Sequence, residues 1–207
     1  FEMAHLDVDR WLKDLATDKQ QLSLLSDAAQ AVDSTRDAKL AKLMELIEHK
    51  VRNPDRNSQG EENRKVIVFC AFADTAAYLY EALEGWVRKT LGLHIALVSG
   101  GSKPNRTTFG KADFSQILTN FSPRAKQRAK INSMPQDGEI DIMIATDCIS
   151  EGQNLQDCDY LINYDIHWNP VRLMQRIGRV DRRLNPMVEE RIVADHPELA
   201  DQRGVIA

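Results

Sequence analysis

The chain has 207 residues, which is enough for one good-sized hydrophobic core with a small helical addition. Its formal net charge of −4 argues against a generally positive nucleic-acid-binding surface, although a local basic face remains compatible. Because the chain starts at Phe1 without an initiator methionine and ends without an evident closing element, we expect an excerpt of a longer polypeptide. No apolar run is long enough to span a bilayer and no secretory signal is evident, so we expect a cytoplasmic protein without a membrane partner.

The first part of the chain is predicted to be helical. Residues 1–34 contain neither Gly nor Pro, and Leu12, Leu15, Leu22 and Leu25 recur among polar residues. A second helix is expected to be capped by Asp37 and to carry one apolar stripe, Leu40, Leu43, Ile47 and Val51. We therefore expect a helical extension at 1–50, followed by a flexible polar loop at 51–64, where Asn, Pro, Ser and Gly are frequent.

From Lys65 the pattern changes to alternating strands and helices. Residues 66–70 are uninterruptedly apolar, which is typical of a strand buried on both faces of a parallel sheet, and Asp74 can cap the helix that follows. Further strands are predicted at 94–98, 140–145 and 160–164. The alternation predicts an α/β fold with a doubly wound parallel sheet flanked by helices over 65–207, and ligands in such sheets bind beyond the carboxyl ends of the strands.

The segment between the second and third of these strands is less regular. Ser122-Pro123 is a good helix start. For the basic stretch that follows, 124–130, we prefer a solvated surface to the alternative of a DNA contact. Neither the five histidines nor the three cysteines have ligand spacing, so we expect no metal site. Two cysteines fall in or beside core strands, which favours buried thiols in a reducing compartment.

The first polar constellation follows the strand at 140–145. The hydroxyls of Thr146 and Ser150 are suited to bind a phosphate oxygen, and Asn154 is suited to bind a ribose hydroxyl or to hold its own loop. Gly152 permits a close backbone approach. The alternative is an ordinary strand-to-helix turn in which Asp147 acts as a cap.

The second constellation is the arginine-rich segment 175–183. Asn169-Pro170 predicts a helix start, Leu173, Ile177, Val180 and Leu184 are expected to form its apolar face, and Gly178 is expected to mark its end. Arg179 and Arg182 would then project toward the strand-end cleft, where guanidinium groups can bind a triphosphate. The alternative is a solvated basic face stabilised by neighbours such as Asp181.

The chain lacks a Gly-x-x-x-x-Gly-Lys-Ser/Thr loop, which would supply a backbone cradle for the β-phosphate. It also lacks an acidic run after a hydrophobic strand that could hold magnesium. These residues are therefore suited to complete a nucleotide site that is built elsewhere.

Together the two constellations resemble the fifth and sixth conserved motifs of superfamily 2 helicases, in the second RecA-like domain. Residues 150–154, and Trp168-Asn169-Pro170 followed by 175–182, are similar to the Swi/Snf branch, and in pattern to its bacterial RNA-polymerase-recycling ATPases. DEAD-box proteins instead carry arginine at Glu151, aspartate at Asn154 and histidine at Gln175, so these positions argue against that branch.

The resemblance implies a mechanism in which ATP and Mg²⁺ are held mainly by an N-terminal RecA-like domain of the same polypeptide. Arg179 and Arg182 would reach the γ-phosphate as arginine fingers. Gln175 and Arg176 would order the loop and sense nucleotide, and Gly152 and Asn154 would line the cleft. The isolated chain is then expected to hydrolyse essentially no ATP.

The resemblance also implies contacts from Ser99, Gly100, Gly101 and Thr146 to a nucleic-acid backbone, which we expect to be double-stranded DNA. Lys103 and Arg106 would add electrostatic attraction, or would belong to a mobile surface loop. The competing hypothesis is a non-catalytic docking module for nucleic acid or protein that retains the helicase fold. The sequence does not predict the oligomeric state.

Overall fold

The structure is a computed structural model that describes residues 7–30, 36–56, 60–100, 104–149, 153–167 and 169–180. The chain divides into two compact units, Phe1–Lys42 and Leu43–Ala207. Within the described ranges, no helix combines the length and apolar character needed to cross a bilayer.

Helix α1 (Val8–Gln30) lies in the first unit. Asp7 precedes it, and its Oδ1 accepts a hydrogen bond from Arg10 N at 3.0 Å. Its large apolar side chains are exposed, including Trp11 and Leu25. The helix predicted within 1–34 is confirmed over Val8–Gln30, and residues 1–6 and 31–34 lie outside the described residues.

Helix α2 (Ala38–Arg52) forms as predicted from its cap and its apolar stripe. Asp37 Oδ1 accepts from Leu40 N at 2.9 Å, which satisfies one of the donors that the first turn leaves open. The residues of the predicted stripe are all buried, namely Leu40, Leu43, Ile47 and Val51.

The polar segment after α2 contains a short antiparallel pair, β1 (Asp55–Arg56) with β2 (Glu62–Asn63). Lys50, near the end of α2, donates from Nζ to Asp55 at 2.6 Å and to Asp159 at 2.8 Å. Burial acts to lower the pKa of Lys50, but its hydrogen bonds to Asp159 and Asp55, together with their negative charges, raise that pKa overall. This buried cation joins the helix, the pair of strands and the segment before the last strand.

A five-stranded sheet forms the centre of the second unit, in the order β5-β4-β6-β3-β7. Its strands are β3 (Val66–Phe69), β4 (Ile95–Val98), β5 (Arg106–Thr107), β6 (Ile142–Ala145) and β7 (Tyr160–Asn163). Four strands are parallel, and β5 runs antiparallel to β4 at one edge. Every residue of β3, β4 and β6 is buried, which explains their uninterrupted apolar sequences and confirms the predicted α/β class.

Helices flank this sheet. They are α3 (Ala73–Trp86), which continues in a π-helical turn (Val87–Leu91), α4 (Phe114–Phe121) and α5 (Pro170–Val180), with a 3₁₀ turn at Arg128–Lys130. Asp74 does not cap α3: the N-cap residue is Phe72, and Asp74 lies within the first turn. There its negative charge still faces the positive end of the helix dipole.

The helix predicted to start at Ser122-Pro123 is replaced by turns and the 3₁₀ segment. Both oxygens of Asp157 accept backbone N–H groups there, from Arg124 at 2.7 Å and from Ala125 at 2.9 Å. This distant carboxylate thus satisfies two backbone donors at the start of the turn.

The register of the sheet brings four strand ends together at one edge. Phe69 lies beside Ala145 on one side and Asn163 on the other, and Val98 lies beside Ala145. The loops that carry the predicted site residues therefore start from neighbouring points, as expected for a parallel sheet.

Candidate functional site

Helix α5 begins as the sequence predicted, at Asn169-Pro170. Asn169 Oδ1 accepts from Val171 N at 2.9 Å, and Pro170 occupies the first helical position, where no backbone donor is needed. The helix continues through Gly178 to Val180, so the prediction that Gly178 marks its end was wrong.

The orientation of α5 agrees only in part with the prediction from hydrophobicity, since Leu173 is half-buried as expected but Ile177 is not. Ile177 is 50% exposed, and Val171 and Met174 are exposed with it, whereas Arg176 and Arg179 are buried. Of the predicted apolar face, Val180 packs at the edge of the core, and Leu184 lies outside the described residues. Arg176 turns inward because the strand ends offer it acceptors.

Arg176 is the centre of this inward network, with 1% of its surface exposed. Its Nε and Nη2 donate to the two oxygens of Asp147, at 2.7 and 3.0 Å, which is a bidentate pair. Its Nη1 donates to Asn163 Oδ1 at 2.8 Å and to Asp165 O at 3.2 Å. Its guanidinium also lies 5.2 Å from the centre of the Phe69 ring.

Arg176 therefore connects α5 to the ends of β6 and β7. Because all three guanidinium nitrogens already donate to protein acceptors, the predicted contact of Arg176 with nucleotide stays a prediction, and the structure shows an internal role.

Arg179 and Gln175 line a polar cleft of about 310 Å³ beside α5. The other residues that line it are Asp147, Ile149, Asn169, Val171 and Arg172. Arg179 is 8% exposed, and its carbonyl oxygen accepts from Leu155 N at 3.2 Å, which ties this turn of α5 to the loop after β6. The structure thus brings together two of the predicted site residues, next to a carboxylate.

The other predicted nucleotide contacts are placed differently. Asn154 Oδ1 accepts from Gln156 N at 3.1 Å, which corresponds to the loop-holding role that its sequence context left open. Gly152 and Arg182 lie outside the described residues, as do Ser150 and Glu151.

The predicted nucleic-acid contacts Ser99, Gly100 and Thr146 lie together at the ends of the neighbouring strands β4 and β6. Thr146 N donates to Val98 O at 3.1 Å, and Thr146 Oγ1 accepts from Gly100 N at 3.3 Å. Ser99 and Thr146 are 8% and 7% exposed. Gly101 and Lys103 lie outside the described residues.

Gly100 is required by close packing. A Cβ at this position would lie 2.6 Å from Cys148 Cβ, well inside normal contact. The glycine therefore lets the loop after β4 approach the loop after β6. The sequence analysis had explained Gly100 only by a contact with a nucleic-acid phosphate.

Several network residues were missed by the sequence reasoning. Asp147 was considered only as a helix cap, whereas it holds Arg176 and lies 3.7 Å from Arg172 Nη1. Asn163 and Asp165 were not singled out. The available signal was a carboxylate directly after a buried strand, in a chain that later carries an arginine-rich helix.

Arg106, which was expected to attract nucleic acid or to lie in a surface loop, has internal partners. Arg106 lies 3.0 Å from Glu81 and 3.4 Å from Glu84 and stacks over Tyr80, so its charge is neutralised locally. Burial raises the pKa of Tyr80 to about 12.

The prediction of a solvated face at 124–130 was wrong for Arg128. This side chain is buried, and its Nη1 donates to Asn120 Oδ1 at 3.2 Å and to Gly138 O at 2.8 Å. In the same segment, burial lowers the pKa of Lys126, whose Nζ donates to Gln153 Oε1 at 2.7 Å.

The second unit is thus an α/β domain with a cleft at the carboxyl edge of its mainly parallel sheet. The arginine, glutamine and asparagine side chains that line this cleft are suited to an anionic ligand such as a nucleotide phosphate. Residues 38–183 match the helicase conserved C-terminal domain, and the chain belongs to that family.

Several known proteins are similar to this chain. The uncharacterized ATP-dependent helicase YqhH of Bacillus subtilis is 31% identical over 167 residues, which are 81% of this chain and 23% of that protein. The putative ATP-dependent DNA helicase fml2 of Schizosaccharomyces pombe is 28% identical over 148 residues, 70% of this chain and 16% of that protein. The chain thus spans less than a quarter of these relatives. Among solved structures, the C-terminal part of the Fun30 ATPase domain is 18% identical, with a TM-score of 0.48, over 82% of this chain and 46% of that one.

Proposed function

We propose that this domain is the C-terminal motor half of an ATP-dependent nucleic-acid translocase or helicase of the Swi/Snf branch, acting on double-stranded DNA. ATP would be held by a separate RecA-like domain of the same polypeptide, and Arg179 and Arg182 would contact its γ-phosphate. The observation that carries the proposal is the placement of Arg179 and Gln175 in one polar cleft at the carboxyl edge of the sheet.

The donor set of the cleft fits phosphate oxygens. Arg172, Gln175 and Arg179 offer N–H donors, and the charges of Arg172 and Arg179 add to that of Arg176, against the single carboxylate of Asp147. The site does not fit Mg²⁺, because both oxygens of Asp147 already accept from Arg176. Magnesium would therefore be bound by the partner domain together with the phosphates.

The chemical role of Arg179 would be to stabilise charge on the phosphoryl group during its transfer to water. Such a finger typically contributes about 10³ to 10⁵ in rate. Its low exposure favours this role, since a guanidinium in a partly desolvated cleft interacts more strongly with a phosphate than one in bulk water does.

The nucleic acid would contact the loops after β4 and β6. The hydroxyl of Thr146 accepts from Gly100 N–H, so its own proton can be donated to a phosphate oxygen. Contacts of this kind carry little sequence information, which suits a protein that moves along a strand.

The test uses the full-length protein with Arg179→Ala and Arg179→Lys. We expect Arg179→Ala to lower kcat for ATP by about 10³ or more, while the Kd for duplex DNA stays the same. The lysine variant should also lose most activity, because it keeps the charge but loses the planar fork. Arg52→Ala removes an exposed arginine of α2 and is the matched control.

Thermal unfolding should accompany each assay, since Arg179 is buried. A folded Arg179→Ala protein that retains ATPase would refute the finger assignment and favour a docking module. Stimulation of the wild type by RNA but not by duplex DNA would refute the choice of DNA.

A further inference from the structure

Arg172 differs from the other described arginines of α5. Its side chain is 49% exposed, whereas Arg176 and Arg179 are buried. Arg172, Gln175 and Arg179 all line the cleft beside α5, and they share one side of the helix because they lie three and four positions apart. Arg172 is therefore the arginine of the cleft that an incoming ligand reaches most readily.

The contact between Arg172 and Asp147 is loose. Arg172 Nη1 lies 3.7 Å from Asp147 Oδ2, which is beyond the length of a hydrogen bond. Both oxygens of Asp147 already accept from Arg176, at 2.7 and 3.0 Å, so the carboxylate stays compensated when Arg172 moves away. Since exposed ion pairs contribute little to stability, Arg172 can exchange Asp147 for another anion at little cost.

The position of Arg172 along the helix also favours an anion. Because α5 begins at Pro170, Arg172 belongs to the first turn, where the helix dipole places a positive partial charge. Arg179 follows seven residues later, about 10 Å further along the helix axis. Two guanidinium groups attached at this separation are suited to different groups of an extended polyphosphate.

The difference in exposure indicates different roles for the two arginines. A buried guanidinium such as that of Arg179 is fixed before the ligand arrives and is suited to stabilise charge that develops during phosphoryl transfer. The exposed Arg172 becomes ordered only when an anion replaces Asp147, so its contact forms on binding and changes little during transfer. ADP retains the α- and β-phosphates, and a contact of this kind is therefore expected to persist in the product complex.

We propose that Arg172 is a nucleotide-binding residue, which leaves Asp147 and contacts the diphosphate portion that ATP and ADP share. This inference rests on the proposed function, in which Arg179 contacts the γ-phosphate. Arg172 then contributes to the affinity for substrate and product more than to the rate of transfer, and it retains ADP on this domain after hydrolysis.

The decisive variant is Arg172→Gln in the full-length protein. Calorimetric titration with Mg²⁺ and ADP gives the Kd for ADP, and steady-state assays give kcat and the KM for ATP. Arg64→Gln is the matched control, because the Arg64 side chain is 45% exposed, forms an ion pair with Glu62 and does not line the cleft. Since both arginines are exposed and paired, the two variants should have similar Tm values.

We expect the Kd for ADP and the KM for ATP of Arg172→Gln to rise together by about tenfold, which is the effect of losing one charge-assisted hydrogen bond. The value of kcat should fall by less than about threefold, because a contact made equally before and during transfer does not set the rate. Arg172→Lys should recover part of the affinity, since a lysine still attracts phosphate as a point charge. A merely structural role would not raise both constants at an unaltered Tm.

A raised KM for ATP with an unchanged Kd for ADP would place Arg172 at the γ-phosphate and overturn the inference. Weaker binding of duplex DNA with unchanged affinity for ADP would likewise overturn it. Both results leave the proposed function intact, which fails separately if the wild type has no ATPase or if a folded Arg179→Ala protein retains it. Should Arg172→Gln not fold, Arg172→Lys carries the test with an expected rise of about threefold in the Kd for ADP, and no rise there would contradict the inference.

Discussion

The buried pair of Arg176 and Asp147 leads to a quantitative prediction for stability. Arg176→Ala removes the guanidinium and leaves the Asp147 carboxylate, whose side chain is 19% exposed, with Arg172 at 3.7 Å as its remaining cationic neighbour. It also leaves Asn163 Oδ1 without the Arg176 donor that lies at 2.8 Å. The result is a partly buried charge with incomplete compensation.

Removal of one partner of a buried pair typically costs about 3–5 kcal/mol. Arg172 and the partial exposure of Asp147 place the expectation near the lower end, at about 3 kcal/mol. For a chain of this size each kcal/mol shifts Tm by about 2–4 °C, so the expected loss is about 6–12 °C. Such a loss is a large part of the free energy of unfolding of an ordinary domain.

The matched control is Arg52→Ala. Arg52 also bonds a carboxylate, with its Nε 2.8 Å from Glu48 Oε1, but its side chain is 65% exposed and the two residues lie one helical turn apart. Exposed pairs of this type contribute about 0.3–0.5 kcal/mol. Urea and thermal denaturation of the two variants, followed by circular dichroism, measure the difference.

Equal destabilisation by Arg176→Ala and Arg52→Ala would refute the reasoning, since burial would then have no effect on the strength of the pair. Arg176→Met separates the two contributions of the side chain, because it keeps an apolar stem of similar length and removes the charge. It should recover only a small part of the loss.

Two further predictions follow from other parts of the sheet edges. Gly100→Ala should destabilise by about 1–3 kcal/mol through overpacking against Cys148, while Gly85→Ala, within α3 and with no atom near the new Cβ, should stabilise by up to about 1 kcal/mol; urea denaturation measures both, and equal effects would contradict the packing argument. Burial, and secondarily the charge of Arg88, lower the pKa of His94 below its ordinary 6.5. The folded state then binds this proton less tightly than the unfolded state, so stability should fall as pH decreases below 6.5, and His94→Gln should reduce that decline. Tm values at pH 7 and pH 5 give the comparison, and an identical decline in both proteins would exclude His94 as its source.

The strands could be predicted because their sequences report their own environment. A parallel strand covered on both faces is apolar at every position, and β3 and β6 show this directly in the chain. The helix cap at Asp37 and the helix start at Asn169-Pro170 are similarly local, because donor and acceptor lie within three residues of each other.

The orientation of α5 could not be predicted in the same way. Periodicity assigns the apolar side of a helix to the core, but Arg176 finds its carboxylate 29 residues earlier, at the end of a different strand. Arg128 was missed for a related reason, since two of its acceptors are carbonyl oxygens of residues 136 and 138, which carry no side-chain signal. In both cases an acceptor that is distant in the sequence determines where the arginine side chain lies.

For the cleft, Arg179 was expected to project toward the strand ends, and it lines a cavity there together with Gln175. The role of Asp147 depended on the distance between two loops and a helix, which only three-dimensional placement reveals.

In helix α5 the side chains that attach it to the domain are charged, and its large exposed side chains are apolar. The inward Arg176 fixes its attachment, and the outward Met174 and Ile177 take no part in those contacts. Substitutions at these exposed positions can therefore change the surface of the helix without weakening the contacts of Arg176. Protein engineering can use this independence to exchange the surface while preserving the internal charges.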